Sequence, residues 1–459
     1  MQVFQISFFT GEPRADIQSC SSESSLDSKN KGFLETEKKS ISMKRGKVRS
    51  MKTYAIAGAG ARARAMFAIP LARDFSHAAK LAGLYDKNLA RAKLVSEECG
   101  GVPIFDSFEE MLEKARPDTV IVTTPDATHH EYIVRALRAG CDVISEKPLT
   151  TDMEKCREIM RAEQETGRQV TVTFNCRFMP YVVRIKELLS EGVIGNIHHV
   201  SLQWMLDRSH GADYFRRWHR RMKNSGGLLV HKATHHFDMV NWWLDDEPET
   251  IQAFQDLRFY GPNRKERGTR CLDCRYKDSC EFYFDITKHE FHSKFYHAAE
   301  SEDGYIRDQC VFGDDIDIYD TMSLNVRYKG GALLTYSLVA YSAFEGWKLT
   351  VHGDKGRLEA AEYSSGLRRA EPTKSIDIYP DQGNKITYTM TNIREGHGGG
   401  DERLRKMLFE GVQEDPLKQM ADTRAGAMSL VIGAGANIAS ASGQPVHVKD
   451  LFEDVLVNQ

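Results

Sequence analysis

From Lys52 onward, short apolar runs alternate with longer amphipathic ones. Lys52–Ala57, Ala79–Tyr85, Thr119–Thr123 and Asp142–Ser145 have apolar centres and end at Gly, Pro or charged residues, which predicts four strands. Between them Arg64–Ala72, Ser107–Lys114 and His130–Arg138 read as helices. Strands alternating with helices predict a parallel, doubly wound α/β sheet, whose ligands sit beyond the strand carboxyl ends. The pattern changes later in the chain. Ser323–Tyr328 and Ala332–Ala340 form a predicted hairpin around Lys329-Gly330-Gly331, and Trp347–Gly353 is a further strand.

Residues 1–50 differ from the rest. Apart from Val3–Phe9 they are polar, rich in Ser and Lys, and without periodicity. No basic region precedes their apolar run, so they do not read as a secretory signal. They are expected to be a disordered extension or an artefact of the chosen start, with Met51 or Met43 as other starts. The longest uncharged run, Ala425–Val446, is built largely from Gly, Ala and Ser and is not expected to cross a bilayer. With 62 Lys+Arg against 65 Asp+Glu, the net charge of −3 gives no reason to expect a nucleic-acid or membrane partner. Nine cysteines without a dense even framework fit a cytoplasmic protein.

The first strand runs into Gly58-Ala59-Gly60-Ala61-Arg62-Ala63 and then a helix, a G-x-G-x-x-A loop in the strand–helix context that gives it meaning. Gly58 permits the tight turn, Gly60 lets a pyrophosphate approach the backbone, and Ala63 lets the helix pack close to the strand. The second strand ends in Asp86, 26 positions after Gly60, where an acidic residue accepts from ribose hydroxyls and repels a 2′-phosphate. NAD is therefore expected rather than NADP. Three segments follow predicted strand ends: Thr123-Thr124-Pro125-Asp126, Glu146-Lys147-Pro148 and Asn175-Cys176-Arg177-Phe178.

With these motifs the chain resembles the glucose–fructose oxidoreductase/inositol dehydrogenase (Gfo/Idh/MocA) family. The resemblance rests on the Gly58–Ala63 loop, Thr124-Pro125-Asp126 with His129, Glu146-Lys147-Pro148, Asn175-x-Arg177-Phe178, Gly226-Gly227-x-Leu229 with His235 and Asp238, and Ala425–Leu451. It implies a Rossmann domain over 51–172 and an α+β domain over 173–455, the latter with an open, mostly antiparallel sheet carrying dimer or tetramer contacts. It implies cofactor contacts from Gly58, Gly60, Arg62, Ala63, Asp86, Thr124, Pro125, His129, Glu146, Lys147 and Asn175. Lys147 is implied to contact nicotinamide and substrate, and His235 to be the catalytic histidine. Hydride transfer from a secondary alcohol needs such a base and a positive group for the developing alkoxide. One departure stands out: where the family has an Asp this chain has His231, followed by Lys232 and Ala233. A more positive pocket suits an anionic or keto substrate, a metal-bound one or a different proton route; alternatively His231 orients His235. Arg177, Lys232, Trp218 and His397 are further candidates for the substrate. Trp204, Arg208, His210, Tyr214, Arg216, Arg217, Trp218 and His219 form either a sugar-stacking surface or an exposed basic loop. Asp401 reads as either a helix N-cap or a part of the loop at the substrate mouth.

Residues 262–312 interrupt the second domain with Cys271-x-x-Cys274-x5-Cys280 and, further on, Cys310. The spacing points to a structural zinc folding a loop over the substrate cleft; an iron–sulfur cluster and unligated thiols or a disulfide are the alternatives, with His289 and His292 as substitute ligands. The expected activity is NAD-dependent oxidation of a secondary hydroxyl on a sugar, cyclitol or glycoside. Two rivals are an enzyme with tightly bound NAD that cleaves or epimerises a glycoside through transient oxidation, and a non-enzymatic NAD-binding regulator.

Overall fold

The computed structural model describes residues 51–394, 396–411 and 414–452; the expected extension over 1–50 lies outside them, as does Glu395. The first sheet uses β1 (Lys52–Ala57), β2 (Ala79–Tyr85), β3 (Thr119–Val122), β4 (Asp142–Ser145) and β5 (Val170–Val172). The second uses β6 (Ile197–Asp207), β7 (Pro248–Asp256), β8 (Thr321–Tyr328), β9 (Leu333–Ser342), β10 (Gly346–Gly353), β11 (Gly356–Tyr363), β12 (Thr373–Pro380) and β13 (Ile386–Thr391). Two short late strands, β14 (Ala421–Asp422) and β15 (Val446–His447), are divided between them. The orders are β14-β5-β4-β3-β1-β2 and β13-β12-β11-β10-β6-β9-β8-β7-β15.

The first sheet is parallel except where β14 pairs antiparallel with β5. Its central strands are buried on both faces, as the apolar Thr119–Val122 shows, because helices cover both sides. The second sheet is antiparallel except for the β6–β9 pair. Along β8 every second residue is buried, so this sheet has one packed face and one open face. Phe254 and Leu333, 72% and 42% exposed, are apolar residues on this sheet that the chain itself leaves uncovered.

Local signals set most helix starts. Ser107 caps Phe108–Ala115 by accepting from Glu110 N, and Asp152 caps Met153–Thr166 by accepting from Lys155 N. The helix after the glycine loop is less regular: Arg64–Ala68 form a π-turn ahead of Pro70.

The Gly-Ala-Ser run forms a helix. Thr423–Ser442 is one unbroken 20-residue helix that by length and composition alone could cross a membrane. It is mostly buried here, packed on β7 and on the helix Thr234–Leu244. Its small residues serve close packing. A Cβ on Gly433 would lie 2.4 Å from the Leu229 carbonyl oxygen, so glycine lets this helix press against the short helix Leu228–His231 and fix its position.

Candidate active site

The carboxyl ends of the first sheet open on a cavity of about 570 Å³. At one end lies the glycine loop. Gly58 has φ +94°, and a Cβ there would be 2.8 Å from backbone atoms of Thr123 and Thr124, so only glycine fits. A Cβ on Gly60 would meet nothing within 4 Å, leaving that backbone approachable from the cavity. Asp86 at the end of β2 accepts from Ala59 N at 2.6 Å and Asn88 N at 2.7 Å. Burial pushes its carboxyl up, while those amides and Arg91 pull it back. Loop glycines, an approachable backbone and an acidic residue facing the cavity fit a dinucleotide. Ala63 is buried in the helix and does not reach the cavity; its role is packing.

Thr124, Pro125, His129, Glu146 and Asn175 line the middle of the cavity. The His129 ring bridges the carbonyls of Pro148 (2.9 Å) and Thr124 (2.8 Å), tying together the loops after β3 and β4. Arg62 donates to Glu146 at 2.7 Å and to Asp401 at 3.4 Å. Asp401 also accepts from Asn175 at 2.7 Å and pairs with His397 Nδ1 at 2.8 Å. Against the upward push of burial, the His397 hydrogen bond and the Arg62 charge hold its carboxyl well below the usual carboxylate range. Asp401 is thus a hub rather than the expected N-cap, a place Gly399 occupies.

At the other end Lys147 Nζ donates to the His231 carbonyl at 3.0 Å. Burial pushes this ammonium down to about 8, although Asp126 and Glu146 favour its charge. His231 Nδ1 stands 2.5 Å from Asp126 Oδ2. His231 therefore does not orient His235, whose Nδ1 is buried without a hydrogen-bond partner. Burial, then the Lys147 charge, pushes both imidazoles below the ordinary histidine value. Lys232 lies 5.5 Å from the centre of the Trp204 ring and, among the described residues, forms no ion pair. Trp218 stacks on His219 at 3.7 Å, and His219 lies 4.1 Å from His231. Of the Trp204–His219 group, His210, Tyr214, Arg217, Trp218 and His219 line the cavity, whereas Trp204 and the buried Arg216 do not, and Arg208 is exposed.

Arg177 departs from its expected place at the substrate. Its guanidinium makes a buried bidentate pair with Asp238 at 2.8 and 2.6 Å and does not line the cavity. Motif spacing shows that both residues recur but not that they face each other.

The insertion also lies elsewhere than expected. Its Tyr296, Asp303 and Tyr305 line the cavity. Asn88 Nδ2 donates to Ala299 O at 2.8 Å, Leu89 N to Glu302 at 3.1 Å, and Arg91 pairs with Asp303. Residues 296–305 thus roof the Asp86 end, while the insertion also meets the other end, where Arg307 donates to Asp213 at 2.6 Å and Arg216 to the Phe282 carbonyl at 2.7 Å. Nothing in their composition signals this, because the contacts join distant parts of the chain. Asp126 is the other residue left without a role by its motif; its place directly after β3 at a strand carboxyl end was the available signal.

Cys271, Cys274, Cys280 and Cys310 line one small cavity of about 10 Å³ with Phe282 and Phe312, all four as free thiols. Among the described residues no group of three or more His, Cys, Asp or Glu is placed to hold a metal ion. His289 and His292 pack on Phe284 instead. Arg270 orders the segment, donating to both Glu300 (3.0 and 2.9 Å) and Asp308 (3.2 and 2.6 Å).

Known proteins share the two folds of this chain. Residues 52–174 match the model of an oxidoreductase family's NAD-binding Rossmann fold, and residues 186–448 match the same family's C-terminal alpha/beta domain. YteT of Bacillus subtilis (strain 168), which carries an oxidoreductase designation, is 39% identical over 431 residues, covering 88% of this chain and 99% of its own. Inositol 2-dehydrogenase of Rhizobium meliloti (strain 1021) is 30% identical over 176 residues, 38% of this chain and 50% of its own. Among solved structures, the WlbA dehydrogenase of Bordetella pertussis, in complex with NADH and UDP-GlcNAcA, superposes with TM-score 0.60 at 18% identity, covering 86% of this chain and 98% of that one. The chain is an NAD-binding oxidoreductase and belongs to the Gfo/Idh/MocA family.

Proposed function

We propose that this oxidoreductase uses NAD to take a hydride from a secondary hydroxyl of a sugar, cyclitol or glycoside. The supporting observation is the single cavity that runs from Asp86 and the glycine loop to Lys147, His231 and His235. NAD, when bound, supplies the hydride acceptor. Asp86 favours a free 2′-hydroxyl over a 2′-phosphate. Lys147 presents a cation to the alcohol oxygen, where it stabilises negative charge developing as the C–H bond breaks. The imidazoles of His231 and His235 offer acceptors for the hydroxyl proton. Trp218, Lys232 and His397 surround the substrate. Printed names of relatives lend support: D-glucoside 3-dehydrogenase of Escherichia coli (strain K12) is 28% identical over 165 residues. The test is NADH formation across a panel of inositols, hexoses, uronates and alkyl glycosides; no turnover with any of them, in either direction, defeats the reading.

A second reading is favoured by the roof over the Asp86 end. A dinucleotide beneath residues 296–305 would be slow to leave, which suits an enzyme that keeps NAD and cleaves or epimerises a glycoside by transient oxidation. NAD that survives purification, with turnover lacking added cofactor, would support it. Sharing one cavity also supports zinc on the four thiols, soft donors of the kind zinc prefers, once they swing together. Metal analysis of protein purified without chelator should then find about one zinc per chain. Exposed Phe254 and Leu333 support a homo-oligomer formed through the open face of the second sheet. Free thiols at all eight described cysteines suit a cytoplasmic protein.

A further inference from the structure

Two histidines reach the substrate end of the cavity, and they are held differently. His235 Nδ1 is buried with no partner among the described residues, so no hydrogen bond there fixes its tautomer. His231 has a buried carboxylate on the same atom: Asp126, 3% exposed, lies 2.5 Å from Nδ1. That contact sets the tautomer. With Asp126 ionised, the proton lies on Nδ1 toward it and the Nε2 lone pair of this cavity-lining residue is left free. When the ring gains a second proton, the carboxylate is already in place to hold the imidazolium. Lys147 is hung from the carbonyl of the same residue, so the alkoxide-stabilising cation and this imidazole are held by one short helix.

Resting on the hydride-transfer reading above, we propose that His231 is the proton acceptor of the reaction and Asp126 its positioning residue. The alcohol carbon gives up a hydride with its electron pair, for which bound NAD would be the acceptor, and the O–H proton moves to His231 Nε2 as the C=O bond forms. The proton then leaves to solvent, restoring the neutral ring. In the reverse direction the same atom returns the proton to the alkoxide. His235 is left to bind the substrate.

The groups facing His231 come from every neighbouring element. Asp126 follows β3; Glu146, itself held by Arg62, and Lys147 follow β4. Tyr214 comes from the helix Arg208–Arg216, and Arg217 and His219 from the turn after it. Lys232 is next in the chain and His235 lies one turn further on. Burial first, then the Lys147 charge, the His219 ring and the charges of Arg217 and Lys232, push the imidazole well below the ordinary histidine value. Burial also pushes the Asp126 carboxyl well above its ordinary value, against the pull of Lys147. Among the described residues Asp126 is the acid in hydrogen-bond contact with the ring.

The test uses the full chain. With a substrate in hand, the rate should fall as pH drops and His231 becomes protonated. Asp126→Asn should lower the rate at saturating substrate by roughly 100-fold or more, and should move the acidic limb to lower pH, since the imidazolium loses its counter-charge. Asp126→Glu should recover part of the loss. His231→Gln should abolish the limb, while His235→Ala should keep it and raise KM more than it lowers kcat. Retained NAD binding in each variant checks folding. A limb that survives His231→Gln and disappears in His235→Ala overturns the assignment. A second arm does not depend on finding a substrate. In the resting protein labelled with 15N-histidine, the ring whose signals are lost in His231→Gln should hold its proton on Nδ1 in a strong hydrogen bond, and Asp126→Asn should shift that resonance and no other histidine as strongly. If it does not, the pair is refuted even should NAD-dependent turnover be found. If the resonance shifts but no alcohol is oxidised, the pair stands and the hydride-transfer reading fails.

Discussion

The two ends of the cavity are built by different means. At the Asp86 end the groups beneath the roof are mostly backbone and local: Gly58 and Gly60, the amide of Ala59, and a carboxylate at the end of the neighbouring strand. At the lysine end they are side chains from segments scattered along the chain, from Asp126 to His397. A dinucleotide is the same molecule for every protein that binds it, so a short loop of fixed spacing can hold it. A substrate is particular, and its site is assembled by tertiary packing. The contrast explains why the departures from family pattern, His231 and Lys232, both fall at the second end.

Substitutions can break or sharpen this contrast. The largest expected effect is at Lys147. Lys147→Ala should lower the rate at saturating substrate by roughly 100- to 10,000-fold, the scale of a lost acid–base or charge-stabilising group, while NAD titration by calorimetry shows much smaller losses. Next comes Arg177→Ala, which leaves Asp238 buried and unpaired. It should cost about 3–5 kcal/mol of stability, read from denaturant unfolding, and should leave the pH–rate profile unshifted in the folded fraction. A changed pH profile would return Arg177 to the reacting groups.

Gly58→Ala acts at the opposite end. Its Cβ would meet backbone at 2.8 Å in a conformation L-residues rarely adopt, at a cost of order 1–3 kcal/mol. NAD affinity should fall by roughly 10- to 100-fold. Asp86→Ala is expected to be milder, weakening NAD by about tenfold and narrowing its advantage over NADP. Equal binding of the two dinucleotides by the unaltered protein would remove Asp86 as the discriminator. The smallest change belongs to Asp303→Ala. With its carboxylate partly exposed, it should speed NAD release only a few-fold in stopped-flow displacement.

The same division decided what the sequence made legible. Strand positions in the first sheet, the Gly58–Ala63 turn and the acidic end of β2 depend on residues close in the chain, and their periodicity and spacing expressed them. Arg177 was misplaced because its partner, Asp238, sits sixty-one positions away and the pair meets only in the fold. Asp401 has the composition of an N-cap, but its environment comes from Arg62, Asn175 and His397. The roof from residues 296–305 had no signal at all, since its contacts to Asn88 and Arg91 are made by side chains ordinary for any surface. In the run Thr423–Ser442, Gly, Ala and Ser lower hydrophobicity while improving the fit of a buried helix against its neighbours.

The anchor of Lys147 carries an evolutionary consequence. Its ammonium is hung from the carbonyl of residue 231, and a carbonyl is present whatever side chain that residue bears. Position 231 is therefore free to vary its chemistry without dislodging the lysine. A lineage can exchange a carboxylate for an imidazole there while Lys147 stays where it was. Constancy is vested in the backbone and novelty in the side chain of one and the same residue, which gives this fold a place to diverge without dislodging the lysine.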